Sequence, residues 1–303
     1  MKYISIFIYI LPIFAVAQTN KCQLTKETFY NNEKIDYQAI NQYNTSGLLS
    51  VKTENFGEHL NGPYSTEKKF TYDTKGNNTQ IEFYHDNKLI STINKVYDIN
   101  NVLIEETTTT KTQGFVGEKT SISSSTNQKV YLDKNGGISS KTVETFNAEG
   151  KLIKKEMVNG LGKVTLSVEN TYSAKGELLK TISSDNISKI ITTTSFSYDK
   201  DGNVLKEVYL LNNTPNGYLE NTYNATGKLA KKVLYNKKSV IDYQYLYEYT
   251  AAGLLSKESY IYDNQTINTD VFEYDTNGNK TKLSSFNSKN ELVKYKTWEY
   301  ICK

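Results

Sequence analysis

The sequence predicts an all-β fold, an antiparallel β-hairpin repeat meander forming a curved or rolled sheet of roughly 20 strands. Three observations carry this. An aromatic, three mostly polar residues and a Gly or Asn recur about ten times between Tyr43 and Phe286, usually about 25 residues apart, as in a repeat array. The segments between these signals run about 8 to 10 residues and are rich in Val, Ile, Thr, Tyr and Phe, which pack well on a pleated surface. Helical spacing is absent, and no interval leaves room for a helical crossover, so successive strands must be antiparallel neighbours.

The first element is not part of the sheet. Residues 1–17 carry Lys2, an apolar run from Ile4 to Phe14, and Ala15-Val16-Ala17 ahead of Gln18, the layout of a cleavable export signal with cleavage after Ala17. Residues 18–303 then form the repeat domain. The run is shorter than the ~20 apolar residues of a spanning helix, and Thr19-Asn20-Lys21 before Cys22 lacks the small residues of a lipoprotein signal. No second run of spanning length follows. The expected location is secreted, periplasmic or extracellular, without integral membrane insertion.

The clearest repeats read FTYDTKGN (70–77), FSYDKDGN (196–203) and FEYDTNGN (272–279); looser copies are Tyr43 to Gly47, Phe146 to Gly150, Tyr172 to Gly176, Tyr223 to Gly227 and Tyr249 to Gly253. A type I turn closed by a residue at positive φ makes a tight hairpin, and Gly adopts that conformation without steric cost. Strands should therefore end near Tyr72, Tyr198, Tyr223, Tyr249 and Tyr274, with positive φ at Gly76, Gly202, Gly227, Gly253 and Gly278. In YDINN (97–101) and FNSKN (286–290) the slot holds Asn101 and Asn290, the next best residue there. Midway between these turns lie Asp86-Asn87, Asn159-Gly160, Asp185-Asn186, Asn212-Asn213, Asn236-Lys237 and Asp263-Asn264, which suit two-residue type I′ loops. One repeat is thus two strands and two turns, one at each edge of the sheet. Between 102 and 146 the spacing breaks and assigns no turns.

At its three clearest copies the chain resembles the YD repeat of the Rhs family, an aromatic, any residue, Tyr-Asp, two residues and Gly. The resemblance covers most of residues 43–290. In larger Rhs proteins such repeats look like strands of a spiralling sheet that can form a hollow shell around a toxic domain. Here the position after Gly, often Arg in the family, is Asn77, Asn203 or Asn279, and the repeats run almost to Cys302. The resemblance therefore implies a short, curved, secreted form without a toxin domain.

Thirty-six basic residues stand against thirty-three acidic ones, and every basic residue is Lys. Near-neutrality without Arg excludes the electrostatic footprint and bidentate chemistry of a nucleic-acid binder. Cys22 and Cys302 bracket the chain in an oxidising compartment, and a disulfide between them is the natural expectation. Two unpaired or intermolecular thiols are the alternative. A flat sheet of about 20 strands at ~4.8 Å would hold its ends ~100 Å apart, so the pair can form only if the sheet rolls up.

Catalytic signals are sparse. His59 and His85 belong to no recognisable motif, and neither a cofactor nor a metal site is expected. Asp199 to Asn203 resembles the opening of a calcium loop, but the twelfth position is Leu210 where a carboxylate is needed, and an ordinary turn explains the same residues. Glu207, Glu220 and Glu258 are carboxylates that strands could bring together. Tyr243, Tyr245, Tyr247 and Tyr249 alternate with Gln244, Leu246 and Glu248 and so share one face, extended by Tyr260, Tyr262 and Tyr274. Such rings either pack the sheet or, facing solvent, offer a platform for a glycan or protein partner. The expected function is a secreted non-enzymatic repeat protein acting as a binding or structural surface at the cell envelope or outside the cell. One alternative is a secreted hydrolase of polysaccharide or cell-wall material with a carboxylate site on the sheet. Another is an outer-membrane barrel, which needs a continuous apolar lipid face, whereas Lys206, Lys231 and Lys257 are read as recurring on both strand faces.

Overall fold

The computed structural model describes residues 22–302 apart from 32, 58–62, 111–116, 123–124 and 134–136; the segment 1–17 expected to be an export signal and His59 lie outside the described residues. Twenty-two strands follow one another with no helix among the described residues. They begin with β1 (Cys22–Asn31), β2 (Lys34–Tyr43), β3 (Leu49–Phe56), β4 (Tyr64–Tyr72), β5 (Asn78–His85), β6 (Lys88–Tyr97), β7 (Leu103–Thr110) and β8 (Gly117–Ile122). Next come β9 (Thr126–Leu132), β10 (Ile138–Phe146), β11 (Leu152–Asn159), β12 (Val164–Tyr172), β13 (Leu178–Asp185), β14 (Ile190–Tyr198) and β15 (Val204–Leu211). The last are β16 (Thr214–Tyr223), β17 (Leu229–Asn236), β18 (Ile241–Tyr249), β19 (Leu255–Tyr262), β20 (Gln265–Tyr274), β21 (Lys280–Asn287) and β22 (Leu292–Cys302). The irregular stretch between 102 and 146 is thus filled by β7 to β10.

Each strand pairs antiparallel with the next, and β22 pairs with β1. The meander therefore closes into an up-and-down barrel with no free edge. Its perimeter at ~4.8 Å per strand is about 105 Å, and a round ring of that size is about 34 Å across at the backbone, too wide for side chains to fill. Burial agrees: among the described residues only Ala39, Val158, Leu219 and Val233 are buried apolar side chains. At the seam Cys22 lies opposite Cys302 and the two are joined by a disulfide, a bond of oxidising compartments rather than the cytosol.

The repeat signals sit at one rim, where even-numbered strands hand over to odd-numbered ones. Strands end at Tyr72, Tyr198, Tyr223, Tyr249 and Tyr274, and φ is +87° at Gly76, +85° at Gly202, +76° at Gly227, +78° at Gly253 and +80° at Gly278. Asn101 and Asn290 take φ of 64° and 62° in the equivalent slot. We call this end the glycine rim; most of its hairpins continue through a β-bulge at the strand-ending Tyr, as between Ser197 and Tyr198. At the far rim Asp86-Asn87, Asn212-Asn213 and Asp263-Asn264 are type I′ pairs with both φ values positive. The other three sites are longer loops, closed by positive φ at Gly162, Lys189 and Ser239. There the leading Asn159, Asp185 or Asn236 accepts the N–H two residues ahead with its side chain, which opens a longer turn instead of a two-residue one.

Strand alternation gives the barrel two walls. One carries the repeat aromatics, and across the register the same wall holds Glu54, Lys232, Glu258 and Asp270. Burial is the foremost influence on ionisation for Tyr37, Tyr43, Glu54, Tyr72, Tyr172, Tyr198, Tyr223, Tyr247, Glu258, Tyr274 and Lys280, all on this wall. Among the described residues Tyr235 is the only one of the opposite wall so affected. The tyrosine wall is therefore the inner, concave one.

The outer wall is charged. Lys26–Glu299, Lys69–Glu67, Lys119–Glu105, Lys154–Glu156, Lys206–Glu220, Lys257–Glu248 and Lys282–Glu273 form ion pairs on it at 2.9 to 3.9 Å. Lys206, Lys231 and Lys257 all lie on this wall, which corrects their expected distribution over both faces: the bulge at each glycine-rim turn resets the alternation between repeats. Inner-wall lysines are a separate set, Lys52, Lys68 and Lys155 among them.

Candidate functional site

The inner wall is built around a repeated latch. The Tyr that ends each repeat donates its hydroxyl hydrogen bond to the backbone carbonyl opening the preceding odd strand: Tyr72 to Leu49, Tyr198 to Leu178, Tyr223 to Val204, Tyr249 to Leu229 and Tyr274 to Leu255, at 2.7 to 2.9 Å. Tyr249 and Tyr274 are therefore committed to the scaffold at the glycine rim.

Tyr243, Tyr245 and Tyr247 sit deeper on the same wall. Tyr243 meets Tyr245 edge-on at 5.7 Å, Tyr245 stacks with Tyr247 at 6.4 Å, and Tyr260 leans on Tyr245 at 5.1 Å. Tyr262 is the register partner of Tyr243 and completes the patch toward the far rim. Burial raises Tyr243, Tyr245 and Tyr247 above the ordinary phenol range, Tyr247 most, helped by the neighbouring Glu258 carboxylate. They are half-buried, lining the hollow rather than filling a core or facing outward.

Below them one continuous register row runs along the inner wall: Tyr247, Glu258, Asp270, Ser285 and Lys294, from β18 to β22. Glu258 and Asp270 face each other directly, and burial, together with the facing Asp270 carboxylate, pushes the Glu258 carboxyl up. Asn268 donates to Asp270 Oδ1 at 3.0 Å. Burial and Lys296 push Lys280 down. The row opens into a cavity of about 410 Å³ lined by Phe29, Tyr37, Asp270, Leu283, Lys294 and Lys296. Beyond it Glu54 accepts from the Tyr37 hydroxyl at 2.8 Å and pairs with Lys52 and Lys68. Burial opposes its ionisation, but these donors prevail and hold it down at about 2.

The three carboxylates singled out from the sequence are not brought together. Glu207 is on the inner wall and accepts from Tyr209, Glu220 is on the outer wall with Lys206, and Glu258 is four strands from Glu207. The partner Glu258 does have, Asp270, follows from alternation back from Tyr274 but also needs the β19–β20 register, which no sequence signal supplies. Asp199 caps its own turn through Asp201, Asn203 and the Asn203 amide, as an ordinary turn residue. His85 sits at the far rim beside Asp86 and against Tyr64. No group of three or more metal-ligating side chains occurs among the described residues.

No protein-family profile matches the chain, and no curated protein sequence matches it. Among solved structures it is similar to a TcdB2-TccC3-Cdc42 complex, at TM-score 0.34 and 12% identity over 85% of this chain and 19% of that one. The chain thus spans about a fifth of the length of that one. It is also similar to porin-like proteins of Bacteroides uniformis (TM-score 0.35, 11% identity, 83% of this chain and 96% of that one) and Bacteroides vulgatus (0.28, 10%, 92% and 98%).

Proposed function

We propose that the protein is an exported, non-enzymatic β-repeat barrel that serves as a binding surface at the cell envelope or outside the cell, and that its inner wall takes a glycan. The observation that carries this is the gathering of Tyr243, Tyr245, Tyr247 and Tyr260 beside the Glu258–Asp270 row and its cavity. Flat rings stack on the apolar faces of sugars, while the carboxylates accept from sugar hydroxyls and the Asn268 amide can serve them in turn. The outer wall supports a barrel wetted on both sides: seven ion pairs interrupt any apolar band, and a bilayer demands a continuous one.

The test is glycan-array binding by wild type and by a Tyr245→Ala/Tyr247→Ala variant. The reading requires binding by the wild type and its loss in the variant, with a melting temperature that falls by no more than a few degrees. Unfolding of the variant would assign those rings to scaffolding alone. A second reading, a polysaccharide hydrolase, draws on the facing carboxylates Glu258 and Asp270. Reducing-end release that disappears in Glu258→Gln would replace the first reading with the second.

A further inference from the structure

Along the arc from β10 to β18 the two rims carry different tips. At the glycine rim the hairpins following β10, β12, β14 and β16 carry Ala148-Glu149, Ala174-Lys175, Lys200-Asp201 and Ala225-Thr226 at their tips. At the far rim, on the same part of the barrel, three loops present large apolar residues to solvent: Leu161 is 83% exposed, Ile187 76% and Val240 57%. Behind them stand Met157, Ile190, Ile191, Leu211 and Ile241, all at least 39% exposed. Folding does not require these residues, because Asn224-Ala-Thr-Gly-Lys228 builds with a polar tip the turn that Asn159-Gly-Leu-Gly-Lys163 builds with a leucine.

Each apolar tip has lysines next to it: Lys163 by Leu161, Lys189 by Ile187, Lys237 and Lys238 by Val240, all exposed. The acids on this arc are Asp185, whose carboxylate is engaged by Ile187 and Ser188 of its own loop, and Asp242. The tips are held rigidly, with the Asn159 side chain accepting the N–H groups of Leu161 and Lys163 and that of Asn236 accepting those of Lys238 and Val240. Successive hairpins on one rim are two strands, or about 10 Å, apart.

We propose that this arc of the far rim docks the barrel end-on onto an anionic lipid surface. Apolar residues about 10 Å apart from Leu161 to Ile187 and about 20 Å apart from Ile187 to Val240, with the Asn212-Asn213 hairpin between the last two and ammonium groups beside each, do not make the contiguous apolar core of a protein interface. They match a headgroup layer, where each tip reaches the acyl boundary and the lysines meet phosphates. The inference is independent of what the inner wall binds, and leaves the mouth of the barrel facing the membrane.

The test is cosedimentation of the protein with vesicles of phosphatidylcholine alone and with one-quarter phosphatidylglycerol. Binding should favour the anionic vesicles and fall with salt. Leu161→Ser/Ile187→Ser/Val240→Ser should weaken partitioning about tenfold or more. Replacing Lys163, Lys237 and Lys238 by Gln should weaken it about fivefold per charge. Ile99→Ser, an exposed tip on the glycine rim, should change nothing, and all variants should melt like the wild type. No sedimentation with either vesicle, equal binding to both, or anionic binding that survives the triple tip variant would overturn the proposal. So would rim-dependent association with a protein in place of vesicles.

Discussion

At the scale of single residues, the repeat is a set of hydrogen-bond devices with interchangeable parts. Where the residue two before the latch tyrosine is Asn, as at Asn221, its amide joins Tyr223 on the same Val204 carbonyl. Where it is aromatic, as at Phe196, Tyr198 holds Leu178 alone among these side chains. Tyr198→Phe should therefore cost about 1 kcal/mol, and Tyr223→Phe measurably less, because the Val204 carbonyl keeps its amide donor. Equal losses on chemical denaturation would refute the shared-acceptor account. The Asn that follows Gly works alike: the amides of Asn77, Asn203 and Asn279 donate to the carboxylates of Asp73, Asp199 and Asp275 at 2.8 to 2.9 Å. These bonds hold the three aspartates below the usual carboxylate range. At the three clearest repeats this internal Asp–Asn clasp stands where a longer basic side chain is common in the Rhs-type pattern.

Among the strands, the facing of Glu258 and Asp270 on β19 and β20 makes a prediction with a definite sign. Burial and Asp270 raise the folded-state pKa of Glu258, so the folded protein holds that proton more tightly than the unfolded chain. Its favourable contribution is complete below the unfolded value of about 4.3 and is lost as pH rises through the raised one. Glu258→Gln should thus stabilise the protein at neutral pH by about 0.5 to 1 kcal/mol, the scale of a like-charge cross-strand pair. The gain should shrink as pH falls toward about 4; a gain constant with pH would mean that charge is not its cause. Glu54 behaves oppositely, since its lowered pKa gives stability above about 4.3 that is lost on acidification. Outside 102–146, strand identity, the glycine-rim turns and the common face of Tyr243 to Tyr249 were legible in the sequence, because turn conformation and alternation are local properties. The Asx loops at Asn159, Asp185 and Asn236 were half legible: the turn former is visible, but loop length depends on where the next strand resumes pairing. Which face looks inward, and that Glu258 meets Asp270, are properties of register and closure, and no local signal encodes them.

For the molecule as a whole, closure rests on two independent links, the β1–β22 ladder and the Cys22–Cys302 bond. Ladder pairing runs from Cys22 opposite Cys302 to Asn31 opposite Lys294, so a Cys22→Ser/Cys302→Ser variant should keep a closed barrel. It should nevertheless be less stable by up to ~5 to 6 kcal/mol on the chain-entropy scale for a crosslink spanning 280 residues. Denaturant unfolding, with small-angle scattering on the native variant, checks both parts; a variant expanded before unfolding would show that the ladder alone cannot hold the ring. The seam also sets an order of events. Every other pairing joins strands consecutive in the chain, so hairpins can zip up as they emerge, while the first strand must wait for the last. During that interval two bare backbone edges of matching register coexist, and only the tether through the rest of the chain distinguishes a strand's own partner from that of a neighbouring copy. Dilution therefore favours the monomeric ring, whereas crowding favours chains threaded end to end, and an early sulfur bond, by shortening the search, selects the first outcome over the second.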